Sequence, residues 1–125
     1  MLEAAIVLPI FILLVIGSIE IGISMMTCNV LATAARHGAR TGSVRGSTNS
    51  TVQSAVAKAL AAASLTGTTT SITVNGSTID VAAANSGAEV KVSVSIPYSQ
   101  VSPVASSFVF GANAYFTRSV VMRHE

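Results

Sequence analysis

Between Glu3 and Glu20 lie sixteen consecutive residues, Ala4 to Ile19, without a charge. As a helix rising ~1.5 Å per residue this run covers roughly 24 Å. A bilayer core needs ~20 apolar residues, so the run fits a slightly thinned membrane. The apolar character passes through Gly17-Ser18-Ile19-Glu20-Ile21-Gly22 and persists to Ala34-Ala35, and charge returns in number only at Arg36 and Arg40. A helix continued to Arg36 would be ~50 Å long, more than a bilayer requires. The pattern therefore predicts a rod with one end in lipid and the other projecting from it, able to serve as an assembly surface.

A chain of 125 residues has room for one small domain beyond such a rod. From Thr41 onward it is rich in Ser, Thr, Ala, Val and Gly, the composition of a secreted β-containing domain. All seven basic residues follow the apolar run, opposed there by Asp80, Glu89 and Glu125. That surplus is too thin and scattered for a nucleic-acid footprint. Cys28 is the one cysteine, which excludes an internal disulfide and reads as a small hydrophobe on the rod. A secretory signal peptide fits poorly: no basic region precedes the run and no small-residue cleavage pattern closes it. Counting cations alone would put the polar part in the cytoplasm. A basic leader ahead of Met1, removed before assembly, restores the outward orientation, and that is the expectation here.

Several residues of the rod demand partners. Glu3 either sits solvated at headgroup level, favoured by the helix N-terminus, or pairs with the α-amine of a neighbouring copy. Glu20 is an acid in an apolar context, where an unpaired charge is costly; Arg36 or Arg40 of a shifted neighbour would answer it. Ser18 and Gly22 have the small-x-x-x-small spacing that lets helix backbones approach closely. Pro9 removes one helical hydrogen bond. Ala34 with Gly38, and Ala35 with Ala39, stack as a narrow smooth face. His37 has no second His, Cys or acid beside it and reads as a solvated or interface residue.

Three stretches, Leu2-Glu3-Ala4-Ala5-Ile6-Val7-Leu8-Pro9, Gly17-Ser18-Ile19-Glu20-Ile21-Gly22 and Ala34-Ala35-Arg36-His37-Gly38-Ala39-Arg40, resemble the TadE-like family of pilin-like proteins. That family's pattern reads roughly V-E-F-A-x-V-L-P, G-x-x-E-F-G and A-A-R-E-G-A-R. Ala4 stands in place of an aromatic, Ile21 in place of Phe and His37 in place of Glu. In processed pilins the acid usually falls fifth, whereas Glu3 is third. Further on, Ile96-Pro97-Tyr98 and the ending Met122-Arg123-His124-Glu125 are similar to the family's Tyr-Pro-type turn and final strand. The resemblance implies a Tad (Flp-type) pilus system, a branch of the type IV filament machinery, and a leader cut by a prepilin peptidase.

For residues 41–49 the Gly, Ser and Arg content predicts a linker. Ser50-Thr51-Val52-Gln53 reads as a capping box opening an amphipathic helix, with Val52, Val56, Ala59, Leu60 and Ala63 on one stripe, Gly67 as its close and a sheet as its packing partner. Asn75-Gly76 between Ser71–Val74 and Ser77–Val81 predicts a hairpin with Ile72, Val74, Ile79 and Val81 on one face. Ala88–Ile96 alternates as a strand up to Pro97, and a last strand is expected at about Ala114–Arg123, after a connection from Tyr98 to Asn113.

The expected fold is α+β and type IV pilin-like. A long hydrophobic N-terminal helix (1–40), whose lower half packs on the head, leads through a linker (41–49) to a head (50–125) with one short helix on a roughly four-stranded antiparallel sheet. No catalytic, cofactor-binding or metal-binding constellation is present in the sequence. The expected function is structural: a subunit held in the bacterial inner membrane, then assembled into an extracellular filament with itself or other pilins. The expected assembly residues are Glu3, Ser18, Glu20, Gly22, Arg36 and Arg40, with the prepilin peptidase and pilus assembly machinery as partners and no nucleic acid. A single-pass anchored interaction domain that does not polymerise is the second reading.

Overall fold

The computed structural model describes residues 2–102 and 113–125. One helix, α1 (Leu2–Ser43), spans the whole apolar region and carries Pro9 inside it. Two environments divide it. From Glu3 to Ile16 every side chain is exposed, with Phe11 at 61% and Leu13 at 68%. Further along, Leu31, Ala34, Ala35 and Ala39 are completely buried.

The buried part succeeds because its side chains are small. A Cβ built on Gly38 would stand 2.5 Å from Cγ2 of Val56 and 3.2 Å from Cγ1 of Val92, and one on Gly42 3.1 Å from Cγ1 of Val90. Both glycines thus let α1 lie against α2 (Asn49–Ala62) on one side and the central strand on the other. The predicted smooth face of Ala34, Ala35, Gly38 and Ala39 is consumed inside the head.

α1 runs through the first residues of the expected linker, to Ser43. Four carbonyls at a helix end lack intrahelical partners, and here each finds one. Arg40 O accepts from Ser43 Oγ at 2.9 Å, and Thr41 O from the hydroxyl of Ser47. Gly42 O lies 3.0 Å from Nδ1 of the buried His124, and Ser43 O accepts from Glu125 N at 2.9 Å. A carbonyl can only accept, so His124 carries its proton on Nδ1 in this contact. Residues 124 and 125 thereby finish the helix begun at residue 2.

α2 is capped two residues earlier than expected. Thr48, not Ser50, is the N-cap, and its hydroxyl and that of Thr51 satisfy each other's backbone N–H. The helix closes at Ser64 (φ 57), not Gly67: Leu65 N reaches Leu60 O and Ser64 N reaches Ala61 O, the Schellman pairing. Val52, Val56 and Leu60 are buried as the stripe required. They pack mainly against α1 and only marginally against the sheet, which corrects the expected packing partner.

Among the described residues the sheet has three antiparallel strands in the order β1 (Thr69–Val74), β2 (Glu89–Pro97), β3 (Tyr115–Arg123). This is an α+β, pilin-like arrangement, with three strands where roughly four were expected. β2 lies in the middle and its alternation is complete: Val90, Val92, Val94 and Ile96 are all buried. They oppose Val74 and Ile72 on one side, and Met122, Val120 and Phe116 on the other.

The expected strand after Asn75-Gly76 is absent among the described residues, although the turn itself forms. Asn75 (φ 48) and Gly76 (φ 79) make the tight turn, with Val74 and Ser77 exchanging both backbone hydrogen bonds. Pairing stops there. Asp80 Oδ1 accepts from Asn49 N and Ala82 N, and Asn49 Oδ1 accepts from Val81 N. This reciprocal lock draws Val81–Ala83 into a 3-10 turn beside the start of α2. Val81 is buried as expected, but Ile79 is 48% exposed and does not join the inner face. Of the expected connection from Tyr98 to Asn113, a one-turn helix α3 (Tyr98–Val101) is described, and residues 103–112 lie outside the described ones.

Candidate functional site

The exposed half of α1 and the point where it meets the head are the parts of this molecule that its own fold leaves open. Ile6, Val7, Leu8, Ile10, Phe11, Leu13 and Leu14 are each more than half exposed. At ~25 cal/mol per Å² of apolar surface, such a column cannot stand in water. By length and composition this helix can cross a membrane. Ser18 fits that setting, since its hydroxyl donates to Leu14 O at 2.8 Å and leaves no bare donor toward lipid. Gly22 has open space where a Cβ would stand, so the Ser18-to-Gly22 face is free for another helix.

Glu20 marks the end of the uncharged column and is half-buried. Its carboxylate accepts from Tyr98 Oη at 3.1 Å and from Ser102 Oγ at 2.6 Å, one hydroxyl on each oxygen. Hydrogen bonds to a charged group are stronger than neutral ones, by about 1.5–3 kcal/mol against ~1. Tyr98 is buried, and its ring packs on Phe116 with centroids 5.3 Å apart. Burial, followed by the bond to Glu20 and the negative charge there, raises the Tyr98 phenol above its ordinary 10.0, and the Ser24 hydroxyl opposes that shift. This node joins the stem to the head at the edge of the predicted span. Beside it opens an apolar cleft of about 350 Å³, walled by Ile21, Met25, Tyr98, Tyr115 and Phe116.

The expected assembly residues do not converge in one chain. Glu3 is exposed at one end of α1, while Arg36 and Arg40 are exposed near the other. Glu20, expected to need an arginine from outside, has two donors of its own. Sequence reasoning missed Tyr98 and Ser102 in this role. The available signal was a tyrosine directly after the strand-ending Pro97, an aromatic whose polar tip needs a partner when buried. Nothing local links it to an acid 78 residues away.

A second cleft, about 580 Å³ and wide open, lies at the membrane-distal end of α1 and includes His37, Arg40, Arg45 and Thr51. Arg45 Nε already donates to Glu125 O at 3.2 Å. Among the described residues no group of three or more His, Cys, Asp or Glu side chains comes together to hold a metal. Asn49 and Asn75, which open the Asn-x-Ser/Thr triplets Asn49-Ser50-Thr51 and Asn75-Gly76-Ser77, both have structural tasks: Asn49 Oδ1 accepts from Val81 N, and Asn75 Oδ1 accepts from Glu89 N at 2.9 Å.

Compared with known proteins, residues 1–40 match the family described as TadE-like protein. The matched stretch is the one whose three motifs carry the resemblance, and the family is a structural, pilin-like one. No curated protein and no solved structure matches the chain. The family match and the exposed apolar helix together fit a pilin-like, Tad-associated membrane protein.

Proposed function

We propose that this chain is a structural subunit of a Tad/type IV-type filament. It waits in the bacterial inner membrane with the stem in lipid and the head outside. It is then extracted and packed stem against stem with copies of itself or other pilins, leaving an extracellular polymer of exposed heads. The observation that carries this reading is the exposed column from Ala4 to Ile19 on a helix continuous with the head core. A stem of that kind can exchange lipid for sister stems without refolding the head. Apolar burial and close approach at Ser18 and Gly22 supply the contacts, and neutralisation of Glu3 falls to a neighbouring subunit. Processing by a prepilin peptidase and handling by the pilus assembly machinery belong to the same reading.

Negative-stain microscopy of material sheared from producing cells, with N-terminal sequencing of the recovered band, tests it. Filaments containing this chain are expected, and Glu3→Gln should abolish them while membrane insertion and head folding persist. Normal filament yield from Glu3→Gln would remove the role of Glu3. One observation favours the second reading, a single-pass anchored domain: Glu20 is satisfied within its own chain and does not itself require a polymer. Recovery only as a detergent-soluble monomer, with nothing in the sheared fraction, would select that alternative.

A further inference from the structure

Two clefts meet along the seam between α1 and β3, and they share Ser24 and Met25. The lower one is the apolar cleft beside the Glu20 node, about 350 Å³ and thus in the range of small-molecule sites. Its rim is bare: Ile21, Met25 and Tyr115 are 65, 63 and 65% exposed. The upper one, about 200 Å³, is bounded by Cys28, Asn29 and Arg118. Arg118 pairs with Val94 across β2 and β3, so it shares the inner face of the sheet with Phe116 and Val120, on the edge strand. A cation beside apolar neighbours calls for a counter-charge. Among the described residues no acid and no hydrogen-bond acceptor engages Arg118, and the side-chain amide of Asn29 is equally uncommitted.

The height of the seam says what fills it. The uncharged column ends at Ile19, and the polar layer of a bilayer adds ~5–8 Å on each face. Met25 stands ~9 Å beyond Ile19, so the apolar cleft opens at the level of lipid glycerol and headgroup. β3 rises in the same direction as α1, with Phe116 beside Ile21 and Met25 and His124 beside Gly42. Arg118 is therefore ~7 Å above Phe116. We infer that the seam seats one glycerophospholipid of the surrounding bilayer, its phosphate on Arg118 and Asn29 and the upper part of an acyl chain between Ile21, Met25 and Phe116. This rests on the membrane residence of the stem and not on polymerisation. A phosphodiester is the counter-charge a guanidinium binds best, through two oxygens at once. The Glu20 carboxylate, held by Tyr98 and Ser102, repels a phosphate from the lower end, which fixes the lipid with its head up and its chain down. Tyr115 on the rim is the kind of ring that collects at this interface. The uncharged column of a sister stem would cover the apolar part but leave the guanidinium unanswered.

Native mass spectrometry of the full chain, released from detergent micelles containing palmitoyl-oleoyl phosphatidylglycerol, reads the site. One lipid per chain is expected to survive activation that strips the loosely held lipid shell. Arg118→Gln should lower the retained fraction about tenfold or more, as the loss of a charged hydrogen bond implies. Ala114→Leu enlarges a wall of the cleft and should lower it as well, at an unchanged denaturant midpoint of the head. Arg118 is exposed, so its variant decides alone if Ala114→Leu disturbs folding. Two partial ligands separate the two contacts: diacylglycerol with the same chains lacks the phosphate, and glycerol 3-phosphate lacks the chains. Neither should be retained, and neither should displace the lipid. Equal retention by Arg118→Gln, or of diacylglycerol, would overturn the phosphate contact. Displacement by glycerol 3-phosphate would overturn the acyl contact and leave a bare anion site. A lipid-free dimer in place of the adduct would give the seam to a second copy. All of these are read on single chains in detergent, so failure here leaves the filament reading standing, and a lack of sheared filaments leaves this site standing.

Discussion

The two halves of α1 are one continuous helix in two different solvents. From Ala4 to Ile19 most side chains are large and apolar, and the fold leaves nearly all of them exposed. Beyond the buried Leu31, from Ala34 to Gly42, the inward side chains shrink to Ala and Gly, because two layers of the head press against the backbone. Side-chain size thus reports where each half is buried. Bulky residues seek a medium that conforms to them, lipid or other stems, whereas small ones admit a neighbouring helix and strand at close range. The Glu20 node lies where the first regime gives way to the second.

Matched substitutions in the two halves test this contrast. Leu31→Ala removes a completely buried side chain and should destabilise the head by about 2–5 kcal/mol. Leu13→Ala, at 68% exposure, should leave the head's denaturant midpoint unchanged. Equal effects would mean that the halves are not energetically distinct. Gly38→Ala forces a methyl onto Val56 and should cost about 1–3 kcal/mol. Gly22→Ala meets open space and should be neutral or slightly stabilising in the monomer, since Ala exceeds Gly in a helix by ~1 kcal/mol. A larger residue at position 22 should impair only assembly, read as filament yield at unchanged head stability.

The smallest expected effect is a pH dependence at the junction. Tyr98 has its phenol pKa raised on folding, so the folded state holds this proton more tightly than the unfolded chain. Its contribution is complete below the ordinary value of 10.0 and is lost as pH rises through the folded-state value. Urea midpoints of the full chain in detergent should therefore fall more steeply above pH 10 than those of Tyr98→Phe. Parallel profiles would mean that the phenol and Glu20 are not coupled in solution.

Much of this arrangement is legible in the chain alone. An unbroken apolar run gives α1, periodicity gives the Val52, Val56, Leu60 stripe, and strict alternation gives β2 with its four buried residues. The Asn75-Gly76 turn also comes from residue type, since both positions need positive φ. The segment beyond that turn is not legible in the same way. Ser77–Val81 alternates like a strand, yet the lock between Asp80 and Asn49 spans 31 residues and overrides local preference. Likewise the glycines at 38 and 42 announce close packing without saying whether α2, the sheet or another copy provides it. The Glu20 node is hidden for the same reason, because hydroxyls supplied from residues 98 and 102 leave no periodic trace. Single-residue contacts across long separations are invisible to pattern, whereas whole faces are not.

The central claim is that the stem never meets water and exchanges lipid for sister stems. It is tested most directly by thiol accessibility at Leu13→Cys in a Cys28→Ser background, with Lys58→Cys as the exposed reference. A membrane-impermeant maleimide should label position 58 in both membrane-resident and sheared surface material, and position 13 in neither. Rapid labelling of position 13 in the sheared fraction would contradict the account.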